Sequence, residues 1–195
     1  MLTVPRRVSH RRALAWAAGY ADWVDGALGR LPAPVTLENG AAVPFRGVDH
    51  RIRWSEGRSR RIVAAEGEIR TAGPPETLQP RLLRWLKTQA LAVLTAETAE
   101  FAAKAGVSVT RVGIGDPRSR WASCSADGAI RYSWRLILAP DQVRRATVAH
   151  EVAHRIHMNH GPAFHALVAT LLDRDPAPDR HWLKVHGAKL HRIGT

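Results

Sequence analysis

Three observations predict an α+β fold for this chain of 195 residues. Apolar residues recur at helical spacing over 8–30, 75–105, 140–158, 162–172 and 179–191. Short alternating runs, separated by Gly, Pro and polar breaks, fall in two groups between these helices, at 35–70 and 108–138. The two kinds of element are segregated along the chain rather than alternating, which favours α+β over α/β. Residues 1–74 read as an N-terminal helix and small β region and residues 75–195 as the core, the whole forming one compact unit.

The first helix is expected over 8–30, where Ser9 can cap it and Trp16, Tyr20, Trp23, Val24, Ala27 and Leu28 supply its apolar side. Leu31-Pro32-Ala33-Pro34 stops it. Strands, expected to pair antiparallel, follow at Ala42–Phe45, His50–Trp54, Arg61–Ala64 and Glu68–Arg70. A turn at Thr71-Ala72-Gly73-Pro74-Pro75 leads into a helix from Pro75 to Ala105, striped by Leu78, Leu82, Trp85, Leu86, Leu94 and Phe101 and ended by Gly106. Three further strands are expected at Ser108–Ile114, Arg120–Ser125 and Ala129–Leu138, the last two joined at Asp127-Gly128. Pro140 suits the first position of the next helix, and Asp141 suits the positive end of its dipole.

Composition narrows the function classes. With 45% hydrophobic and 24% charged residues, the chain is not in the main a disordered tail, a collagen-like repeat or a coiled coil. Lys and Arg number 29 against 17 Asp and Glu, a formal charge of +12 that suits anionic partners. The charge is dispersed, however, with no block of five like charges, so its pattern does not indicate a nucleic-acid partner. The single cysteine, Cys124, excludes an internal disulfide and a cysteine-based zinc ribbon, and a reducing, cytoplasmic location is expected. No apolar run approaches the ~18 residues of a membrane span. Arg11-Arg12 opens an amphipathic helix rather than an export signal, because Asp22 interrupts the apolar stretch behind it.

The histidines carry the chemistry. Eight of the ten lie between residues 150 and 191, and among them stands His150-Glu151-Val152-Ala153-His154, an HExxH motif. Residues four apart share a helix face, so His150 and His154 can offer two imidazoles to one metal ion. Glu151 lies about 100° round the helix, within reach of a metal-bound water whose proton it can take. Val148, Val152 and Ile156 lie opposite the histidines, while Val143, Ala146 and Thr147 share their side, so the helix is apolar on both sides and buried. Imidazoles buried there without partners would be costly, and a metal resolves that cost. For a third ligand, His157 and His160 compete. Three ligands along one straight helix would place the outer two about 10 Å apart, too far for one ion. His160 stands just before Gly161-Pro162, where the chain can fold back over the metal, and is favoured over His157.

The motif and its surroundings resemble a known family. His150–His154 followed by Asn159-His160-Gly161-Pro162-Ala163-Phe164 is similar to the YgjP-like metallopeptidases, relatives of the SprT and WLM zinc-peptidase groups. Arg118–Ser125 and Trp134–Pro140 upstream, and Trp182-Leu183-Lys184 with Gly187 downstream, resemble the family's flanking segments. Ala122, Ser133 and His165 stand where the family usually has Gly, Asn and Trp, and its members usually begin with further basic strands. The resemblance implies a zincin-like core, a small antiparallel sheet packed on the HExxH helix, and a zinc-dependent hydrolase acting on peptides. The expected site is one Zn²⁺ per chain held by His150, His154 and His160, with Glu151 as general base and a peptide or protein substrate lying along the sheet edge near 118–125.

Arg118, Arg120, Trp121, Tyr132 and His165 are candidates for substrate contact, with Tyr132, His165 and His186 also able to stabilise an oxyanion. Cys124 reads as an inert strand residue. Two other functions compete. A nucleotide phosphohydrolase would use the same zinc with arginines gripping phosphates, but no second carboxylate cluster accompanies the histidines. A DNA-associated module with structural zinc would have no use for Glu151 beside an open position.

Overall fold

A computed structural model describes residues 4–5, 7–29 and 31–195. The chain divides into two compact units between Ala33 and Pro34.

The first unit holds two helices, α1 (His10–Ala18) and α2 (Ala21–Gly29), where one was expected over 8–30. Arg30, the last residue of that expected helix, lies outside the described residues. Ser9 caps α1 by accepting a hydrogen bond from the Arg12 backbone N–H. The break falls at Gly19-Tyr20, where the Gly19 N–H closes α1 onto Trp16 and Ala17. Glycine has little helical propensity, and the apolar periodicity of the sequence runs across the break unchanged.

In the second unit, strands β1 (Ala42–Phe45), β2 (Val48–Ser55), β3 (Val63–Ala65) and β4 (Glu68–Ala72) form a sheet in the order β1-β2-β4-β3. The expectation of antiparallel pairing is corrected here: β1–β2 and β3–β4 are antiparallel hairpins, but β2 and β4 run parallel. Pairing between the hairpins is set by which faces reach the core. Ile52 and Ile69, opposite each other in this register, are both fully buried, together with Leu37, Val43 and the long helix. The β1–β2 turn, Arg46-Gly47, takes positive φ at both residues, the geometry favoured in a two-residue hairpin. It docks on the segment before the histidine-bearing helix: Arg46 N–H donates to the Ile137 carbonyl at 2.8 Å and Gly47 N–H to Leu138 at 3.2 Å. A side chain at Gly47 would place its Cβ 2.6 Å from Pro140 Cα, so close approach and backbone conformation both require glycine.

Helix α3 (Leu78–Ala105) follows a 3-10 turn at Pro75–Thr77, and Leu82, Leu86, Ala90, Leu94 and Phe101 form its buried stripe. Strands β5 (Arg111–Gly115), β6 (Ala122–Cys124) and β7 (Ala129–Ser133) make a second sheet in the order β5-β7-β6. This sheet too is mixed rather than antiparallel, because β5 and β7 run parallel. Strand β7 is shorter than the 129–138 expected. Trp134–Leu138 form a 3-10 turn in which all five residues are buried, a run with no solvent face to mark its departure from strand geometry. Within it, the Arg135 guanidinium donates to the Leu190 and Ile193 carbonyls at 2.8 and 2.7 Å and to Asp116 at 2.8 Å. Leu190 and Ile193 are thereby tied to the segment that follows β7.

The remaining helices are α4 (Asp141–Ala153), α5 (Pro162–Leu172) and α6 (Ala177–Leu190). Helix α4 is clamped against α3 by Arg144, 1% exposed, whose guanidinium donates to both Glu97 carboxylate oxygens at 2.7 and 3.0 Å and to Asp141 at 2.8 Å. Arg46 also pairs with Asp141, so the hairpin turn and α3 both fix the start of α4. Helix α4 stops at Ala153, five residues before the expected end, and Ile156 is consequently 46% exposed rather than buried opposite the histidines.

Candidate metal centre

Stopping α4 early is what assembles the site. His150 sits in its last turn and His154 caps its C-terminal end. The chain then turns through Arg155, Ile156 and His157, whose N–H groups donate back to the Val152 and Ala153 carbonyls. Gly161 and Pro162 open α5, and the His160 ring comes to 5.0 Å from that of His150 and 4.7 Å from that of His154. The ligand atoms of these three histidines lie within 4.8 Å of one another. His150 Nε2 and His160 Nε2 are 3.1 Å apart. Tetrahedral ligands about 2.0–2.1 Å from an ion are separated by roughly 3.3 Å, so the donor set fits a single metal.

Two neighbours orient the rings. His154 Nδ1 lies 3.0 Å from the His157 carbonyl, which can only accept, so Nδ1 carries the proton and Nε2 keeps its lone pair for a metal. His157 thus serves through its backbone, and its ring is not one of the three clustered imidazoles. Phe164, fully buried on α5, packs against all three rings with centroid separations of 4.8 Å to His150, 4.6 Å to His154 and 4.8 Å to His160. Phe164→Leu is expected to cost only about 1 kcal/mol, because it largely conserves apolar volume. It should nevertheless weaken metal binding by about 10-fold by removing the aromatic ring that His150 and His160 meet edge-on and His154 at a shallow tilt. Urea denaturation and a competitive metal titration on the same variant check the two halves.

Burial, reinforced by the other imidazoles and by Arg180, brings the His150 pKa down to about 4, and burial chiefly lowers that of His154. Both are therefore neutral, with lone pairs available, at neutral pH. Glu151 faces the same cleft but is 6% exposed, and burial pushes its pKa up to about 7 while the Arg120 charge pulls the other way. A carboxylate titrating near neutrality is suited to proton transfer.

Beside the histidines runs a cleft of about 250 Å³. Trp121 and Ala122, at the edge strand β6, form one wall; Val143, Ala146, Thr147, His150 and Glu151 of α4 form the floor; α5 and α6 close the other side. Trp121 is backed by His191, its ring stacked at 4.8 Å, and by Gly187, where a Cβ would come within 2.7 Å of the indole. Of the residues expected at the substrate, Trp121 lines the cleft, Arg120 is exposed with its charge felt at Glu151, and His165 is exposed with its ring 6.4 Å from His160. Arg118 is exposed and its charge bears on His191, behind Trp121. His186 is exposed on α6 and packs against Trp182. Tyr132 is a correction. It is fully buried, and its hydroxyl hydrogen-bonds the Thr98 hydroxyl at 2.9 Å, so it is a core residue with no face on the cleft. Its alternation on β7 points it toward α3. Cys124 is half-buried, and burial raises its thiol pKa, contrary to what a nucleophile needs. Reading the sequence missed Phe164 and Arg180. Phe164 sits four residues after His160 in the motif region, whereas nothing local marks Arg180.

These features define an α+β domain with a three-histidine centre able to hold a metal ion, next to a buried carboxylate. The chain belongs to the YgjP-like family: the model of the YgjP-like metallopeptidase domain matches residues 1–186. No curated protein and no solved structure matches the chain significantly. Among the described residues, no helix is long and apolar enough to cross a membrane.

Proposed function

We propose that the chain is a zinc-dependent peptidase with a zincin-like core, in which His150, His154 and His160 hold one Zn²⁺ and Glu151 is the general base. The observation that carries this reading is the position of Glu151, a buried carboxylate adjacent to His150 in a cleft walled by the edge strand β6. A three-imidazole donor set is of the kind zinc takes while keeping a position open. When bound, zinc supplies Lewis acidity and brings the pKa of a coordinated water toward ~7. Glu151 accepts a proton from the attacking water and can return it to the leaving nitrogen, since its own pKa is near neutrality. The unpaired edge of β6 offers backbone groups to an extended peptide, which would then cross the cleft in front of Glu151.

The test begins with metal content. One zinc per chain is expected by elemental analysis of the purified protein, falling to background in the His150→Ala/His154→Ala variant, and stoichiometric zinc in that variant would overturn the site. The zinc-loaded protein is then screened against a peptide library and against nucleoside triphosphates. Peptide cleavage is expected, and turnover of triphosphates alone would replace the peptidase reading with that of a phosphohydrolase.

A further inference from the structure

The cleft continues past the histidines toward the start of α4, and this extension has a chemical character of its own. Val143, Ala146 and Thr147 lie one to two turns before His150 and face into it, opposite Val168 of α5 and Leu183 of α6. Val143, Ala146 and Val168 are each at most 5% exposed, so the surface they present is an indentation in the core. Engineered apolar cavities of about 150 Å³ take up benzene. The whole cleft, including the part beside His150 and Glu151, measures about 250 Å³, so its apolar end is of a size for one aliphatic side chain such as Leu.

Arg180 stands at the rim. It lines the same cleft as His150 and Glu151 and is exposed. The acidic groups beside it are engaged elsewhere: Asp179 is 2% exposed and pairs with Arg174 at 2.5 Å, and Asp175 accepts from the Ala177 N–H at 2.8 Å. Among the described residues no carboxylate pairs with the Arg180 guanidinium; the same is true of Arg118 and Arg120, but of these three Arg180 alone lines the cleft. An unpaired guanidinium at the mouth of an apolar pocket, next to the reacting centre, suits a ligand that carries an apolar group and an anion close together.

We infer that this cleft is the specificity pocket of the peptidase proposed above, taking one medium-sized apolar side chain next to the cleaved bond, with Arg180 pairing with a peptide carboxylate on that same residue or the next one. The inference rests on the peptidase reading for the nature of the substrate. The carboxylate has two sources, the C-terminus of a short peptide or an Asp or Glu side chain within a longer one, and both present the same bidentate acceptor.

The experiment measures binding without turnover. Zinc-loaded Glu151→Gln protein is titrated, by fluorescence anisotropy, with four labelled hexapeptides: one with Leu as a free C-terminal residue, one with internal Leu-Glu and an amidated end, one with internal Leu-Gln and an amidated end, and one with Ser-Glu and an amidated end. At least one of the two Leu peptides bearing a carboxylate is expected to bind about tenfold tighter than the neutral Leu-Gln peptide. A preference confined to the free C-terminus assigns the carboxylate to the chain end, and one shown by Leu-Glu assigns it to a side chain. Arg180→Gln should abolish the preference with zinc content unchanged, and Arg180→Lys should keep part of it. Thr147→Leu, at a half-buried helical position, should fill the pocket and weaken both Leu peptides, leaving Ser-Glu unaffected. Equal binding of acidic and neutral peptides, a preference that survives Arg180→Gln, or no binding at all would overturn the inference. The same peptides are then incubated with the wild-type enzyme. Discrimination in binding with no cleavage of any of them would sink the peptidase reading and leave the pocket assignment standing. Cleavage without discrimination would do the reverse.

Discussion

Glu151→Gln is expected to keep the metal and the fold and to lose about 10²–10⁴-fold in turnover on the substrate the screen identifies. Glutamine is nearly isosteric, and among the described residues no cation forms an ion pair with Glu151 whose loss would destabilise α4. Burial already disfavours the charged carboxylate here, so the neutral amide should be tolerated with stability unchanged or slightly raised. What the amide lacks is the ability to accept a proton. Zinc content, thermal unfolding and turnover, measured on one preparation, separate these effects. An active variant would remove Glu151 from the chemistry, and a variant without zinc would make Glu151 a ligand.

Arg144→Met is expected to destabilise the protein by about 3–5 kcal/mol, the cost of leaving one partner of a buried ion pair without the other. Glu97 is 8% exposed and receives both of its charged hydrogen bonds from Arg144. Asp141 would retain its pairing with Arg46, so the loss falls on the α3–α4 contact. Arg144→Met/Glu97→Met should recover most of the stability, since apolar groups can replace a buried pair at little net cost. Urea denaturation of the single and double variants checks both statements. A single variant within 1 kcal/mol of wild type would show that Glu97 is relieved by water or protonation. Because α4 carries His150 and Glu151, metal affinity should fall in the single variant and return in the double.

Legibility from the sequence differed between residues for reasons that can be stated. His150 and His154 could be paired on paper because a helix repeats every 3.6 residues whatever surrounds it. His160 could be preferred to His157 because Gly161-Pro162 marks where the chain must turn, and the turn indeed carries His160 onto the pair. Helix α5 was expected over 162–172 and spans Pro162–Leu172, its start set by a proline at the first turn. By contrast, the apolar run 129–138 was read as a single strand, although it changes to a 3-10 turn after Ser133. A segment buried on every side carries no periodicity from which to read its geometry. The same holds for Tyr132, whose phenol suits an oxyanion as well as it suits Thr98, and only packing against α3 chooses between them.

The sequence by itself determined the α+β order of elements, the helical histidine pair, the third histidine that clusters with it and the neighbouring carboxylate, because each depends on residues close together in the chain. The tertiary structure alone decided the parallel pairings of β2 with β4 and β5 with β7, the ring of contacts from Phe164, the Arg144–Glu97 clamp and the approach of Arg180 to the cleft. Most of these join residues more than fifteen positions apart, and their geometry follows from how buried faces fill a shared core rather than from any local preference of the chain.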